Sequence, residues 1–293
     1  MTMHDDEVAT DAALVARLLS EQYPEAAGLS IRRYSSIGTV NTIYRVGDRL
    51  FVRLPRLERW AADLHNELEW LPRLAPLLSL AVPRPVFTGS PTDDFPLEWA
   101  IYEWLDGNPY SELSVDDETD AARGLATFVT ELRGADPTGA PRAGRRPLVE
   151  LDTATREALT ASAALIDSPR AMAVWQDAMA LPAWTGTPVW IHTDLLRPNV
   201  LVTDGQLSAV IDWGGAGIGD PAADVIAAWT LFGPAGRQEF RAALGVDDET
   251  WIRARGFALH QAALIIPYYR TSNPAFVATA VRTVREILAD ATG

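Results

Sequence analysis

The sequence predicts an α+β protein with a small antiparallel-sheet lobe followed by a larger, mostly helical lobe. Five short β-rich runs and two helices crowd into the first 105 residues. A turn-forming break, Asp106 to Pro109 (DGNP), follows them. Beyond it helical spacing of apolar residues dominates. At 293 residues the chain is long enough for two modest units, and the break divides it into 1–105 and 106–293.

Taken in order, Val8, Leu14, Val15, Leu18 and Leu19 recur at helical spacing and predict an opening helix. LSIRRYSSI, TVNTIYRVG and DRLFVRLP are rich in β-branched and aromatic residues and predict three strands. Gly47 and Asp48 supply a tight turn between the last two, and Pro55 stops the third. Leu57, Trp60, Leu64, Leu68, Leu71 and Leu74 then mark one face of a helix, and VPRPVFTG and LEWAIYEWL read as two more strands. After the break, DDETDAARGLATFVTELRGA is an amphipathic helix with its acidic residues at the start, where the helix dipole favours them. ADPTGAPRAGRRP is a polar loop; DTATREALTASAALI and PRAMAVWQDAMALP are helices. The chain ends in helices from PAADVIAAWTLF, GRQEFRAALG, DETWIRARGFALHQAALII and NPAFVATAVRTVREILAD.

Composition narrows the chemistry. There is no cysteine, which excludes disulfides, iron–sulfur clusters, zinc ribbons and thiol catalysis. All 25 basic residues are arginine, which excludes a Walker A loop and a lysine Schiff base. A net charge of −14 repels nucleic acid and tolerates cationic molecules. No window reads as a signal peptide or a membrane span, so a cytoplasmic protein with no membrane partner is expected.

The most informative stretch is VWIHTDLLRPNVLV, Val189 to Val202, followed by LSAVIDWGG. Val200 to Val202 read as a strand, Asp204-Gly205 as a reversal, and QLSAVID as the returning strand. Asn199 at the start of one strand and Asp212 at the end of the other then meet at one end of a hairpin, near Asp194. The set offers only oxygen ligands, which suits Mg²⁺ bridging phosphates and does not suit zinc. A second carboxylate remains to take a proton from an attacking hydroxyl, the arrangement phosphoryl transfer needs.

HTDLLRPN resembles the His-x-Asp-x-x-x-x-Asn catalytic loop of the aminoglycoside phosphotransferase family, small-molecule relatives of the protein kinases. IDWG resembles that family's metal-binding segment, and GDPAAD (Gly219 to Asp224) the run that follows it. FVRLP resembles the strand that carries a phosphate-contacting lysine, and NELEWLPRLAP the helix with its glutamate partner. The likeness runs from Ser35 to the C-terminus. It implies a bilobal protein-kinase-like fold, with a nucleotide-binding lobe at 1–105 and a catalytic, acceptor-binding lobe at 106–293. Asp194 is then the base or orienting carboxylate, Asn199 and Asp212 the Mg²⁺ ligands, and His192 a brace of the catalytic loop. Asp220 and Asp224 cap a helix start and hold the loop. ATP or GTP is the implied donor. Arg197 either contacts phosphate or pairs at the surface.

Two departures stand out. Arg53 occupies the lysine position, paired with Glu67, while Glu69 and Asp63 compete for it. The phosphate-covering turn has a single glycine, Gly38, so Ser35, Ser36 and Thr39 are assigned to help cover the phosphates, with Asn41 bracing the turn. By position, backbone groups of Glu103 and Trp104 would meet the base, with Ile101 limiting the depth of the pocket. Trp99, Tyr102 and Trp104 read as core more readily than as a stacking surface. Acceptor candidates are Asp116, Asp117, Glu118, Asp152, Glu157 and Asp177, together with Tyr268 and Tyr269, which leave a helix with Arg270 and Asn273 at Pro267. His260 reads as a satisfied, half-buried histidine.

The resemblance implies a phosphotransferase acting on a small hydroxyl-bearing, cationic molecule, with an aminoglycoside-type antibiotic as the leading acceptor. A macrolide, a peptide antibiotic or a metabolite alcohol is the alternative. A non-catalytic nucleotide-binding module and a metal hydrolase built on His192, Asp194 and Asp212 are the competing classes.

Overall fold

A computed structural model describes residues 8–34, 41–58 and 61–291. The chain divides into two compact units, one of residues 1–77 and 81–106 and one of residues 78–80 and 107–293.

The first unit is built on a five-stranded antiparallel sheet of order β1-β2-β3-β5-β4. Its strands are β1 (Ile31–Tyr34), β2 (Asn41–Val46), β3 (Leu50–Pro55), β4 (Pro85–Gly89) and β5 (Trp99–Glu103). Helix α1 (Ala12–Gln22) lays Leu14, Val15, Leu18 and Leu19 on one face of this sheet, against Tyr44, Val46, Val52, Leu54, Trp99 and Ile101. Strand period 2 therefore turns Asn41, Arg53 and Tyr102 to the opposite face. Helix α2 (Ala61–Leu74) brings Glu67 to that face, where it meets Arg53 and Tyr102. A Cβ on Gly89 would lie 1.9 Å from the Trp99 ring, so glycine is required where the two residues pair across β4 and β5.

The second unit is mostly helical. It contains α3 (Glu118–Arg133), α4 (Leu148–Ala161), α5 (Ser168–Met179), α6 (Ala227–Thr230), α7 (Pro234–Leu244), α8 (Asp248–Tyr268) and α9 (Pro274–Asp290). Its strands form two small antiparallel sheets. One joins β6 (Asn108–Pro109), β8 (Val200–Thr203) and β9 (Gln206–Val210). The other pairs β7 (Val189–Ile191) with β10 (Gly217–Gly219). Among the described residues no helix is long and apolar enough to cross a membrane.

The structure differs from the sequence reading at four places. The DGNP break contains a two-residue strand, because Asn108 and Pro109 pair with Val202 and Leu201. Helix α4 begins at Leu148, four residues before the predicted start, since Leu148 and Leu151 extend its buried face. The PAADVIAAWTLF segment is a 3₁₀ turn over Pro221–Ala223 and then only the short α6. Its polar side chains make long-range bonds in place of helical ones: Asp224 accepts from His192 and Thr193, and Thr230 donates to the Leu195 carbonyl at 2.6 Å. Helix α8 passes through Pro267 to Tyr268, so Tyr268 closes the helix and does not leave it. Pro267 sits within the last turn, where only one hydrogen bond is forfeited.

Candidate active site

The β8–β9 hairpin sets the site. Val200 pairs with Val210, and Ile211 donates its amide to the Asn199 carbonyl at 2.8 Å, which brings Asn199 and Asp212 to the same end. Asp212 is exposed and adopts φ of 67°, a left-handed conformation that costs a non-glycine residue about 1–3 kcal/mol. Thr193, two residues after the end of β7, is likewise left-handed, with φ of 76°. For a β-branched residue this is strained, and its surroundings over-determine it. Its amide donates to Asp224 at 2.8 Å, its hydroxyl to the Gly215 carbonyl at 3.3 Å, and its carbonyl accepts from Arg145.

Asp224 is the anchor of this loop. It is fully buried and accepts from the His192 amide at 2.8 and 3.0 Å as well as from Thr193. It therefore holds the loop but does not cap a helix. Asp220 does cap, accepting from Ala222 at 2.9 Å, and it also forks onto Arg253.

His192 braces the loop. Its Nδ1 accepts from the Asp194 amide at 3.2 Å, which leaves Nε2 protonated and donating to the Ile211 carbonyl at 3.1 Å. The ring stands edge-on to Trp213, centroids 4.8 Å apart. It is fully buried, with both nitrogens committed, so it ties the 192–194 loop to the hairpin end.

Asp194 lies where these supports converge. Asn199 Nδ2 donates to Asp194 Oδ2 at 2.6 Å and to its carbonyl at 2.9 Å. Gln261 on α8 donates Nε2 to Oδ1. Burial pushes the Asp194 carboxyl above its usual range and the neighbouring Asp212 adds to this, while His192, Arg145 and the Gln261 bond pull it back. A carboxylate whose basicity is raised while it stays hydrogen-bonded suits proton acceptance.

The donor set fits Mg²⁺. Among the described residues no three His, Asp or Glu groups gather as a self-sufficient metal cage. Asn199 directs both Nδ2 protons to Asp194, which turns its Oδ1 away from that carboxylate. One amide oxygen and one exposed carboxylate suit an ion that keeps waters and phosphate oxygens as its other ligands.

In the sheet unit Arg53 is buried and pairs with Glu67. The Asn41 amide oxygen, in the orientation that satisfies both groups, accepts from Arg53 Nη2 at 2.7 Å and Nε at 2.8 Å. Tyr102 donates its hydroxyl to Glu67 at 3.2 Å. Glu69 pairs instead with Arg73 on the surface. The Glu103 amide donates to the Arg84 carbonyl at 3.0 Å and the Trp104 amide to the Arg49 carbonyl at 2.8 Å, so neither N–H is open to a base. Trp104 is packed by Arg45, 4.4 Å above its ring, and by the edge of Tyr34. Ile101 faces the α1 core, and the side chain on the Arg53 face is Tyr102. Ser35, Ser36 and Thr39 lie outside the described residues.

Of the acidic acceptor candidates, Asp117, Glu118 and Asp152 are engaged elsewhere. Asp117 caps α3, and Glu118 accepts from Gly233 at 2.8 Å. Asp152 accepts from Trp175 and Arg156, each at 2.7 Å. Glu157 is exposed on α4, about 200° around the helix from Thr155, which faces α8 through His260. Asp177 is exposed on α5. Arg197 pairs with Glu112 at 2.7 Å and donates to the Leu231 carbonyl. Tyr268 is exposed at the end of α8, stacked edge-on with Tyr269, which in turn meets Phe276. Two residues that contact the loop had escaped the sequence reading in this role, Gln261 and Arg145; Asp224, expected to hold the loop, does so through the His192 and Thr193 amides.

Comparison with known proteins agrees with this architecture. Aminoglycoside 2'-phosphotransferase-IIIa in complex with GDP superposes with a TM-score of 0.73 at 20% identity, covering 96% of this chain and 100% of that one. The GDP and kanamycin complex of APH(2")-IIIa gives 0.72 at 21% identity, covering 94% and 99%. Macrolide 2'-phosphotransferase MphH from Brachybacterium faecium gives 0.59 at 24%, covering 94% and 97%. These likenesses show a shared protein-kinase-like fold. Uncharacterized protein YcbJ of Bacillus subtilis (strain 168) is 30% identical over 159 residues, 51% of this chain. The chain spans about half the length (48%) of that curated relative. The sequence profile of the phosphotransferase enzyme family matches residues 31–259. With most of its length matched, the chain belongs to the phosphotransferase enzyme family.

Proposed function

We propose that the protein transfers the γ-phosphoryl group of ATP or GTP, with Mg²⁺, to a hydroxyl of a small molecule. The observation that carries this reading is Asp194: a half-buried carboxylate of raised basicity, fixed beside Asn199 and Asp212 at one hairpin end. Asp194 accepts the proton of the acceptor hydroxyl as its oxygen bonds to the γ-phosphorus and the nucleoside diphosphate leaves. Asn199 Oδ1 and Asp212 are the groups that would hold Mg²⁺, which when bound neutralises charge on the transferring phosphoryl group. Arg53 is read as the cation for the donor's phosphates, oriented by Glu67 and Asn41.

The acceptor has two readings. An aminoglycoside is supported by the solved neighbours, one of them a kanamycin complex. An acceptor with an apolar body is supported by this chain's own α8 and α9. No Asp or Glu occurs between Glu249 and Glu286, although the chain carries 39 acidic residues. The surface running from Gln261 through Ile265 to Tyr268 is apolar and aromatic, a poor match for a polycation.

The test is diphosphate release from ATP and from GTP over kanamycin, a macrolide and simple alcohols, with Asp194→Ala as control. A signal with none of them, or one that survives Asp194→Ala, would overturn the reading.

A further inference from the structure

Asp194 is gripped by amides from two directions. Oδ2 takes Asn199 Nδ2 at 2.6 Å, from the side that carries the Mg²⁺ ligands. Oδ1 takes Gln261 Nε2, from α8. Oδ1 is thus the oxygen on the side away from Asn199, the side left for a substrate hydroxyl, and a side-chain amide already covers it.

That amide cannot turn over freely. Gln261 Oε1 accepts from Arg145 Nη2 at 3.1 Å, and the same nitrogen donates to the Thr193 carbonyl. A flipped amide would set oxygen against the carboxylate and NH₂ against the guanidinium. Arg145 reaches the site because the backbone of 141–144 runs close along β10: Ile218 donates to the Pro141 carbonyl at 2.8 Å, Ala143 to Ile218 at 3.1 Å and Gly144 to Gly215 at 3.0 Å. A Cβ on Gly217 would lie 2.5 Å from the Pro141 carbonyl oxygen, so this approach depends on glycine. Arg145 lies 5.9 Å from the Phe257 ring centre, one turn before Gln261, and its buried Nε has no hydrogen-bond partner. Among the described residues it forms no ion pair with a carboxylate. Half-burying a guanidinium with its Nε unpaired is unfavourable for packing alone. What it gains is a fixed Thr193 carbonyl and a fixed Gln261 amide. Gln261 also borders a small cavity of ≈ 10 Å³ with Leu196, Ile265 and Phe276, room for a single water at most.

We infer that Gln261 is the acceptor-side positioning residue of Asp194: it occupies the place of the acceptor hydroxyl on Oδ1 until an acceptor displaces it, with Arg145 setting its amide. This rests on the phosphotransfer reading above. The consequence is protection of the donor. In acceptor-free turnover a water oxygen bonds to the γ-phosphorus, the bond to the β,γ-bridging oxygen breaks, and the water's proton goes to Asp194, giving orthophosphate and nucleoside diphosphate. Gln261 holds water off the oxygen that must take that proton.

The measurement is acceptor-free hydrolysis of Mg–ATP and Mg–GTP, with nucleotide affinity and melting temperature recorded beside it. Gln261→Met, equal in volume but unable to donate, raises hydrolysis about tenfold with nucleotide affinity unchanged. Arg145→Met raises it by less, because the amide is freed but still present. Asp194→Ala placed on Gln261→Met removes the gain. A structural role for Gln261 would lower the rate, so an unchanged or reduced rate at normal nucleotide affinity overturns the inference. If Gln261→Met melts early, Gln261→Asn, one methylene too short, carries the same expectation. Should Asp194→Ala alone leave hydrolysis untouched, it is the phosphotransfer reading that fails, whatever Gln261 does.

Discussion

In the sheet unit the buried cation Arg53 meets a carboxylate, Glu67, and an amide oxygen, Asn41, while Tyr102 adds a donor to Glu67. In the helical unit the half-buried carboxylate of Asp194 takes hydrogen bonds only from amides, those of Asn199 and Gln261, and feels Asp212 as a repelling neighbour that His192 and Arg145 offset in part. The first arrangement is matched charge for charge, so it fixes a position. The second leaves the charge under-compensated, so it holds a group ready to take a proton. Rigid placement and reactivity thus call for opposite treatments of a buried charge.

The largest effect expected tests the under-compensated member. Asp194→Asn keeps the shape and an acceptor oxygen but cannot take a proton, so turnover falls by about 10³ or more. Because burial holds its pKa above the unfolded value, the ionised form is the one the fold disfavours. Removing that charge leaves thermal stability at neutral pH unchanged or raised. A clear drop in melting temperature would mean that Asp194 is matched after all, and the contrast would collapse.

The matched member should respond in the other currency. Arg53→Met strands the Glu67 carboxylate in a buried site and destabilises the protein by about 3–5 kcal/mol in urea unfolding. Arg53→Lys retains a cation but cannot fork onto Asn41 and reach Glu67 together, so it keeps part of the activity. Asn41→Ala then weakens nucleotide binding in the native protein and has little further effect in the Arg53→Lys background. Equal losses in both backgrounds would show that Asn41 acts apart from Arg53. Between these sizes lies Asp224→Ala, which removes the acceptor of the His192 and Thr193 amides. A loss of about 3 kcal/mol is expected, with turnover falling alongside as Thr193 leaves its strained conformation.

How much of this was legible in the sequence follows from the range of the interactions. The hairpin was legible because a reversal at Asp204-Gly205 and alternating apolar residues fix its register locally. That register alone brings Asn199 to Asp212. The pairing of Arg53 with Glu67 spans 14 residues and was reached through the resemblance. Gln261 lies 67 residues from Asp194, and Arg145 lies 48 from Thr193 and 116 from Gln261. A glutamine on an apolar helix and an arginine in a polar loop carry no local signal of a shared destination. Ile101 was misjudged for a related reason. Alternation along β5 is plain in the sequence, but which face α1 covers is decided by packing. The engagement of the Glu103 and Trp104 amides was hidden likewise, since it depends on where β3 and β4 begin.

The smallest expected effect probes the border of the reactive region. His260 is one residue before Gln261, and its Nδ1 lies 2.7 Å from the Thr155 hydroxyl. Burial lowers its pKa to about 4, and Arg145 and Arg146 add to the shift. The folded state therefore favours the neutral ring, while the unfolded chain titrates near the ordinary value of about 6.5. The sign follows: this contribution is complete above pH 6.5 and is lost as pH falls from there towards 4, because the unfolded chain takes up the proton first. Thermal unfolding at steps of pH should show that loss, of about 3 kcal/mol, in the native protein. His260→Gln, which can still bond Thr155 but does not titrate, should flatten the curve over the same window. An identical acid limb in the variant would place the titrating group elsewhere, and α8 would then present Gln261 to Asp194 without any help from a neutral His260.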